Sequence, residues 1–230
     1  MIEVRHLTRT YLSRSSPKSK ESFVSVNDVS FSLLENTPYA LVGESGSGKS
    51  TLAMMLAAIL PPTNGEILLD GNNIWALSPK ELRLMHGEVQ LVLQNSQGAL
   101  DPRRRIYESI AEPLRKLRHL TRQEEQHTVH DILHKVQLQD DILMRFPSEL
   151  SGGQQSRVCI ARAMALAPRL IIFDESVSGL DVTVQKKVLD LLLDLRQEYQ
   201  STFLFITHDI DVALYMADNI FVMKEGKIVE

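Results

Sequence analysis

The stretch Tyr39-Ala40-Leu41-Val42-Gly43-Glu44-Ser45-Gly46-Ser47-Gly48-Lys49-Ser50-Thr51 decides how the rest of this chain is read. Its middle fits the phosphate-binding pattern G-x-x-x-x-G-K-[ST]. Small residues let successive backbone N–H groups curl around phosphate oxygens, and Lys49 reaches the outer phosphates as a point charge. The Ser50 hydroxyl is placed to hold Mg²⁺, an ion that keeps much of its water and takes substrate phosphates as ligands. Residues 39–42 read as a buried strand and residues 52–60 as a helix. That is the context such a loop requires, with the helix N-terminus aimed at the anion. A plain Gly/Ser turn without a ligand is disfavoured by these flanks, so the loop points to nucleotide binding.

A second Gly-rich loop, Leu150-Ser151-Gly152-Gly153-Gln154, is followed by Gln155 and Arg157 and opens a helix over residues 156–165. Shortly after it comes Leu170-Ile171-Ile172-Phe173-Asp174-Glu175, an apolar strand ending in two acids. This order resembles the ATPase subunits of ABC transporters. The resemblance implies that residues 150–154 are the signature motif and residues 170–175 the Walker B strand. It also implies that Tyr11 is the adenine-stacking aromatic, Gln94 the Q-loop glutamine, Ser178-Gly179-Leu180-Asp181 the D-loop and His208 the switch histidine. It covers nearly the whole chain. A lone Ser-Gly-Gly or Asp-Glu says little, but all these marks in register are specific.

At 230 residues the chain is long enough for one sizeable core with an attached subdomain. A hydrophobic content of 43% is ordinary for a globular protein. The apolar run 52–60 stops at Pro61-Pro62, far short of a spanning helix, and the N-terminus lacks the layout of a secretory signal. The expectation is a chain that neither crosses nor enters a membrane. A single cysteine excludes an internal disulfide and suits a reducing compartment; Cys159, between Val158 and Ile160, reads as a small buried hydrophobe. The net charge of −4 argues against a general nucleic-acid binder, so no nucleic-acid partner is expected. The local exception, Arg103-Arg104-Arg105, reads as a solvated basic turn or a contact to a partner protein.

The fold expected is α/β: a P-loop NTPase core with a mostly parallel sheet, an antiparallel β-subdomain and an inserted α-helical subdomain. Residues 1–93 and 151–230 would form the nucleotide-binding core with its β-subdomain, and residues 94–150 the helical subdomain. Residues 2–4, 23–26, 29–33 and 65–71 read as strands, with the polar segment 13–22 an exposed hairpin loop. Residues 106–117 (with Pro113 a kink), 122–136 and 140–144 read as helices. From residue 151 the order is helix, strand, helix 183–199, strand 202–207, helix 210–216 and strand 219–223, an alternation that implies a parallel sheet covered on both faces. His127, His130 and His134 are spaced like ligands on one helical face. The apolar stripe Val129, Ile132, Leu133 and Val136 puts them on the solvent side, with no ordered acid or thiol expected to complete a set.

The resemblance also assigns the chemistry. ATP and Mg²⁺ would be held by residues 43–51, with Lys49 on the phosphates and the metal on Ser50, Gln94 and, through water, Asp174. Glu175 would be the general base or water-positioning residue, and His208 would bond the γ-phosphate. Gln94 would also sense the transported cargo, and Asp181 counts among the nucleotide-binding residues. Such a site is completed in a head-to-tail dimer, where Ser151, Gly152, Gly153 and Gln154 of one subunit close on the γ-phosphate bound by the other.

A narrower resemblance is to the ATPase subunits of peptide and nickel importers. It rests on residues 94–103, on Ile110-Ala111-Glu112-Pro113-Leu114, on residues 146–154 and on residues 178–185. Gly179 departs from the usual Ala, Ser156 from the usual Gln, and members of this group commonly continue beyond the point matching Glu230. The implied role is an ATP-hydrolysing motor on the cytoplasmic face of a bacterial membrane. It would drive uptake of peptide, nickel or a chelated metal through two transmembrane permease subunits. A second ATPase subunit, like or unlike this one, would pair with it, and an extracytoplasmic solute-binding protein would deliver the cargo. Three rivals are weaker. A soluble ABC ATPase acting on ribosomes or DNA usually has two ATPase units or long coiled coils in one chain, and a binding module without hydrolysis would not need Glu175 and His208. A GTPase would carry an Asn-Lys-x-Asp motif, absent here.

Overall fold

The computed structural model describes residues 1–12, 22–93, 96–176 and 181–230. The loop expected at 13–22 therefore falls almost wholly outside the described residues, as do Gln94 and residues 178–180 of the D-loop. In chain order the elements are β1 (Ile2–Leu12), β2 (Ser22–Leu33), β3 (Pro38–Val42), α1 (Lys49–Leu56), β4 (Asn64–Leu69), β5 (Asn72–Asn73), α2 (Pro79–Glu88), β6 (Val89–Val92) and α3 (Ser96–Ala99). They continue with α4 (Ile106–Leu117), α5 (Arg122–Lys135), α6 (Gly152–Met164), β7 (Leu170–Asp174), α7 (Val182–Tyr199), β8 (Thr202–Thr207), α8 (Ile210–Met216), β9 (Asn219–Lys224) and β10 (Lys227–Ile228). The chain divides into two compact units, Met1–His86 with Thr202–Glu230, and Gly87–Ser201.

In the first unit, β3 lies between β8 and β9 and runs parallel to both, with Val42 opposite Thr207 on one side and Val222 on the other. Every residue of β3 and β8 is buried. That is why both read as unbroken apolar runs: a parallel strand covered on both faces has no polar side to show. A separate antiparallel sheet has the order β2-β1-β4-β5. Here β1 extends well past residue 4, because it is paired on both edges, by β2 and by β4. The two strands expected at 23–26 and 29–33 are one strand, β2. The break in alternation at Asn27-Asp28 is taken up by register shifts, with Asp28 in the left-handed region at φ 53. Helix α1 ends at Leu56 instead of residue 60, because Ile59 and Leu60 both turn their N–H groups back to the Met54 carbonyl, at 2.9 and 3.1 Å. Helix α2 was not anticipated, although Ser78-Pro79-Lys80-Glu81 carries a capping box. The Ser78 N–H and hydroxyl both donate to Glu81 Oε2, at 2.9 and 2.6 Å.

In the second unit, β6 and β7 are parallel neighbours, Val89 opposite Leu170 and Val92 opposite Phe173. Helices α4, α5 and α6 pack around Ile106, Ile110, Leu114, Val129, Leu133 and Ile160, all buried. Residues 140–144 form a 3₁₀ helix, not an α-helix. Cys159 is buried, which pushes its thiol up and leaves it inert. The basic turn is largely neutralised within itself: Arg103 and Arg104 both meet Asp101, Arg104 also reaches Glu112, and Arg105 donates to the Met144 carbonyl. No group of three or more His, Cys, Asp or Glu among the described residues could hold a metal, but two of the α5 histidines share an acidic neighbour. Asp140 Oδ1 lies 2.8 Å from His130 Nδ1 and 3.0 Å from His134 Nε2, because the 3₁₀ turn after α5 folds back along it.

The α4–α5 contact carries an ionic cluster. Glu125 is 8% exposed and accepts from Arg115 Nε at 2.7 Å and from Tyr107 Oη at 2.9 Å. The Arg115 guanidinium holds its carboxyl below the usual glutamate range. A depressed folded-state value means the stabilisation is complete above the unfolded pKa and is lost as pH falls through the folded one. Glu125→Gln should therefore cost about 2 kcal/mol of unfolding free energy near neutral pH. Chemical denaturation of both proteins from pH 7 downward should show the two converging in acid.

Candidate nucleotide site

The first Gly-rich loop leaves β3 at Gly43 and enters α1 at Lys49. Glycine is required at Gly48, whose φ is 107 and where an added Cβ would stand 2.2 Å from the Ser25 carbonyl oxygen. The loop is thus threaded against β2 on one side. On the other side it meets the β9–β10 turn, where Gly226 N–H donates to the Ser47 carbonyl at 3.0 Å. Ser25 Oγ and Thr51 Oγ1 are 2.9 Å apart, which ties the first turn of α1 to the antiparallel sheet. Lys49 is buried, and its Nζ donates to the Gly43 and Glu44 carbonyls at 2.7 and 2.8 Å, an ammonium held inside the curl of its own loop. Ser50 follows in the first turn of the helix, and Ser45 and Gly46 form the exposed tip. The α1 N-terminus supplies backbone donors and a positive dipole end, the features that suit an anion.

His208 leaves the end of β8, the parallel neighbour of β3, one residue past Thr207. Since Val42 and Thr207 are opposite each other, Gly43 and His208 start from adjacent points on the carboxyl edge of the sheet. That edge is where ligands gather in open α/β sheets. The exit of the His208 loop is fixed by Asp209, whose Oδ1 accepts from the Asp211 and Val212 N–H groups, and by Thr207 Oγ1, which accepts from the Asp209 N–H. Tyr11 lies near the end of β1, partly exposed and opposite Phe23. The first unit therefore brings His208 beside the start of the loop at residues 43–51, while Tyr11 lies on β1, paired with the β2 strand that crosses Gly48 at Ser25.

In the second unit, Asp174 ends β7 and is buried. Glu175 follows in the left-handed region at φ 47, which turns the chain out of the strand immediately after the first acid. Ser176 is buried, and its hydroxyl has no hydrogen-bond partner among the described residues. The second Gly-rich loop opens α6. Ser151 is the N-cap: its Oγ accepts from the Gln154 N–H, and Gln154 Oε1 accepts from the Ser151 N–H at 2.9 Å. This box shapes the loop while leaving room at Gly152, where an added Cβ would meet nothing among the described residues within 4 Å. Gly153 is different, because a Cβ there would stand 2.7 Å from Val184 Cγ1 on α7. Asp181 caps α7, its Oδ1 accepting from the Val184 N–H at 3.3 Å. The buried Gln155 donates to the Pro147 and Leu150 carbonyls at 2.8 and 3.1 Å and so fixes the entry to the loop.

The side chains that hold these loops were not legible as site residues. Ser25 and Met223 touch the phosphate loop from strands distant in sequence, and Gln155 looks like one more polar residue on a helix. Nothing local marks them, because their role is set by what the fold brings beside them.

A P-loop opening a helix beside a histidine-tipped parallel strand, and a capped Ser-Gly-Gly-Gln helix in the same chain as an Asp-Glu strand end, define a nucleotide-hydrolysing cassette. Residues 26–178 match the family model described as ABC transporter. The chain is 43% identical over 205 residues to the probable peptide ABC transporter ATP-binding protein of Sinorhizobium fredii, covering 89% of this chain and 58% of that one. It is 38% identical over 230 residues to the nickel import ATP-binding protein of Brucella abortus, covering 100% of this chain and 86% of that one. Among solved structures, an ATP-binding cassette dimer in a post-hydrolysis state with ADP and phosphate superposes with a TM-score of 0.88 at 30% identity, covering 100% and 97% of the two chains. The chain belongs to the ABC transporter family, as an ATP-binding, ATP-hydrolysing subunit of its peptide and nickel importer group. A soluble ATPase of ribosomes or DNA is not favoured by these relatives.

Proposed function

We propose that this chain is the motor that powers uptake of a peptide, nickel or a chelated metal through two separate permease subunits, paired with a second ATPase chain at the cytoplasmic face of a bacterial membrane. The observation that carries the reading is the first-unit site: Lys49 buried in its own loop at the α1 N-terminus, with His208 leaving the adjacent parallel strand. No helix among the described residues is long and apolar enough to cross a membrane, which fits a subunit that acts through separate permeases. The solved cassette dimer and the importer relatives support the pairing.

The site roles belong to the same proposal. Backbone N–H groups of residues 43–51 and the Lys49 ammonium hold the phosphates. Glu175 orients and deprotonates the attacking water, and His208 holds the γ-phosphate. Ser151, Gly152, Gly153 and Gln154 present the α6 N-terminus to the nucleotide of the partner subunit, with Asp181 in the adjoining loop. Tyr11 supplies the adenine platform, and Gln94 links the site to the cargo pathway. Residues 94–150 act as a helical subdomain on a core formed by residues 1–93 and 151–230.

Mg²⁺ fits the donors present. Ser50 and Asp174 offer hard oxygens, and no group of three or more His, Cys, Asp or Glu among the described residues forms a metal cage. An ion that takes most of its ligands from phosphate and water needs no such cage. When bound it neutralises charge on the phosphate oxygens.

The test is affinity purification from gently solubilised membranes of the native host, followed by identification of the co-purifying chains. Two polytopic permeases and a second ATPase are expected, and the binding protein found with them identifies the cargo class. Recovery with ribosomes or nucleic acid and no membrane protein overturns the transport role and leaves the ATPase standing.

A further inference from the structure

The β1–β2 ladder borders the phosphate loop through Ser25. Its pairs run Arg9↔Val26, Thr10↔Val24 and Tyr11↔Phe23, so Ser25 is the extra residue of a bulge. Bulges re-aim side chains. This one turns Ser25 to the phosphate loop, where it meets Thr51 and closes on Gly48. Phe23 stands two residues along β2 from that contact, about 7 Å at the rise of a strand, and Tyr11 is its partner across the ladder. Tyr11 is 36% exposed and Phe23 60%, an aromatic pair open to solvent beside a phosphate cradle.

One side of the Tyr11 ring is already taken. The guanidinium carbon of Arg9 lies 4.9 Å from the ring centroid, inside cation–π range. Arg9 is itself anchored: its Nη1 donates to the Pro61 carbonyl at 2.7 Å. Pro61 lies just beyond α1, the helix that follows the phosphate loop. The Thr63 N–H donates to the Thr8 carbonyl at 2.8 Å, and Thr63 Oγ1 accepts from the Thr10 N–H at 3.0 Å, which clamps the same segment to β1. Ring, guanidinium and the segment that follows α1 are thus one linked frame. A partly exposed tyrosine near the end of a strand otherwise has rotamer freedom that it must give up when a base stacks on it.

We infer that Arg9 is the positioning residue of the base subsite, holding the Tyr11 ring from one side so that its opposite face is a preset platform for the adenine of ATP. The inference rests on the reading of Tyr11 as the adenine-stacking residue. Because any base has a π-face, the device strengthens binding of purine nucleotides generally and does not choose between adenine and guanine.

The test compares binding of ATP with binding of inorganic tripolyphosphate, which has no base, using the full chain and its variants. Tyr11→Ala should weaken ATP about tenfold and leave tripolyphosphate unchanged. Arg9→Met, which keeps a long apolar stem and removes the charge, should weaken ATP about threefold in the parent and not at all in the Tyr11→Ala background. Arg9→Lys should recover part of that loss. If Tyr11→Ala leaves ATP affinity unchanged, the platform reading falls and the Arg9 role falls with it. If Tyr11→Ala weakens ATP but Arg9→Met is neutral, costs the same in both backgrounds, or weakens tripolyphosphate as well, the Arg9 role alone is overturned.

Discussion

Glu175→Gln should bind ATP with nearly the parent's affinity and hydrolyse it about a thousandfold more slowly, within the range by which a positioned general base accelerates a reaction. The geometry makes the substitution clean. Asp174 is buried at the end of β7, whereas Glu175 is turned out of the strand by its left-handed backbone at φ 47. A glutamine there preserves the size and hydrogen-bonding reach of the side chain but accepts no proton. Turnover and equilibrium nucleotide binding, measured on the same protein, separate the two effects. A rate equal to the parent's would remove Glu175 from the base role. If the signature loop closes on a partner's nucleotide, the slow variant should also accumulate as an ATP-bound dimer, visible by light scattering on a sizing column.

Gly48→Ala should abolish useful ATP binding, with at least about a hundredfold loss of affinity and a lowered melting temperature. Two independent effects add at this position. An L-residue in the left-handed region costs about 1 kcal/mol, and the new Cβ would sit 2.2 Å from the Ser25 carbonyl, a backbone atom that cannot rotate away. The loop must therefore withdraw from β2, and the N–H groups that point into the cradle turn with it. Gly46→Ala is the control. Gly46 has a φ of 82 but nothing among the described residues within 4 Å of an added Cβ, so only the backbone strain applies and the effect on ATP affinity should be several-fold. Isothermal titration of ATP into the three proteins decides the matter. Equal behaviour of the two variants would show that the close approach of β2 does not shape the cradle.

The contrast between these two glycines shows where a sequence reading stops. Gly46 and Gly48 look alike in Gly43-Glu44-Ser45-Gly46-Ser47-Gly48-Lys49-Ser50. Only the fold shows that Gly48 lies under the Ser25 carbonyl of a strand that precedes it by many residues. The same limit applied to α2, where a capping box was present but the charged sequence around it hid the helix. It also applied to β2, read as two strands because its alternation falters at Asp28. Asp140 stands beside His130 and His134 because a 3₁₀ turn, not a helical repeat, brings it back alongside α5, which no local spacing shows.

What the sequence determined by itself is the class of protein and the order of its parts. Phosphate loops, capped glycine-rich helices and apolar strands ending in acids are written in short spacings, and the chemistry of each is local: backbone donors, a helix end, a lysine within reach of its own loop. Tertiary structure alone decided how those parts are held. A bulge at Ser25 and a carbonyl at Pro61 act through space, and contact between residues far apart in the chain depends on the register of whole strands, which no short spacing encodes.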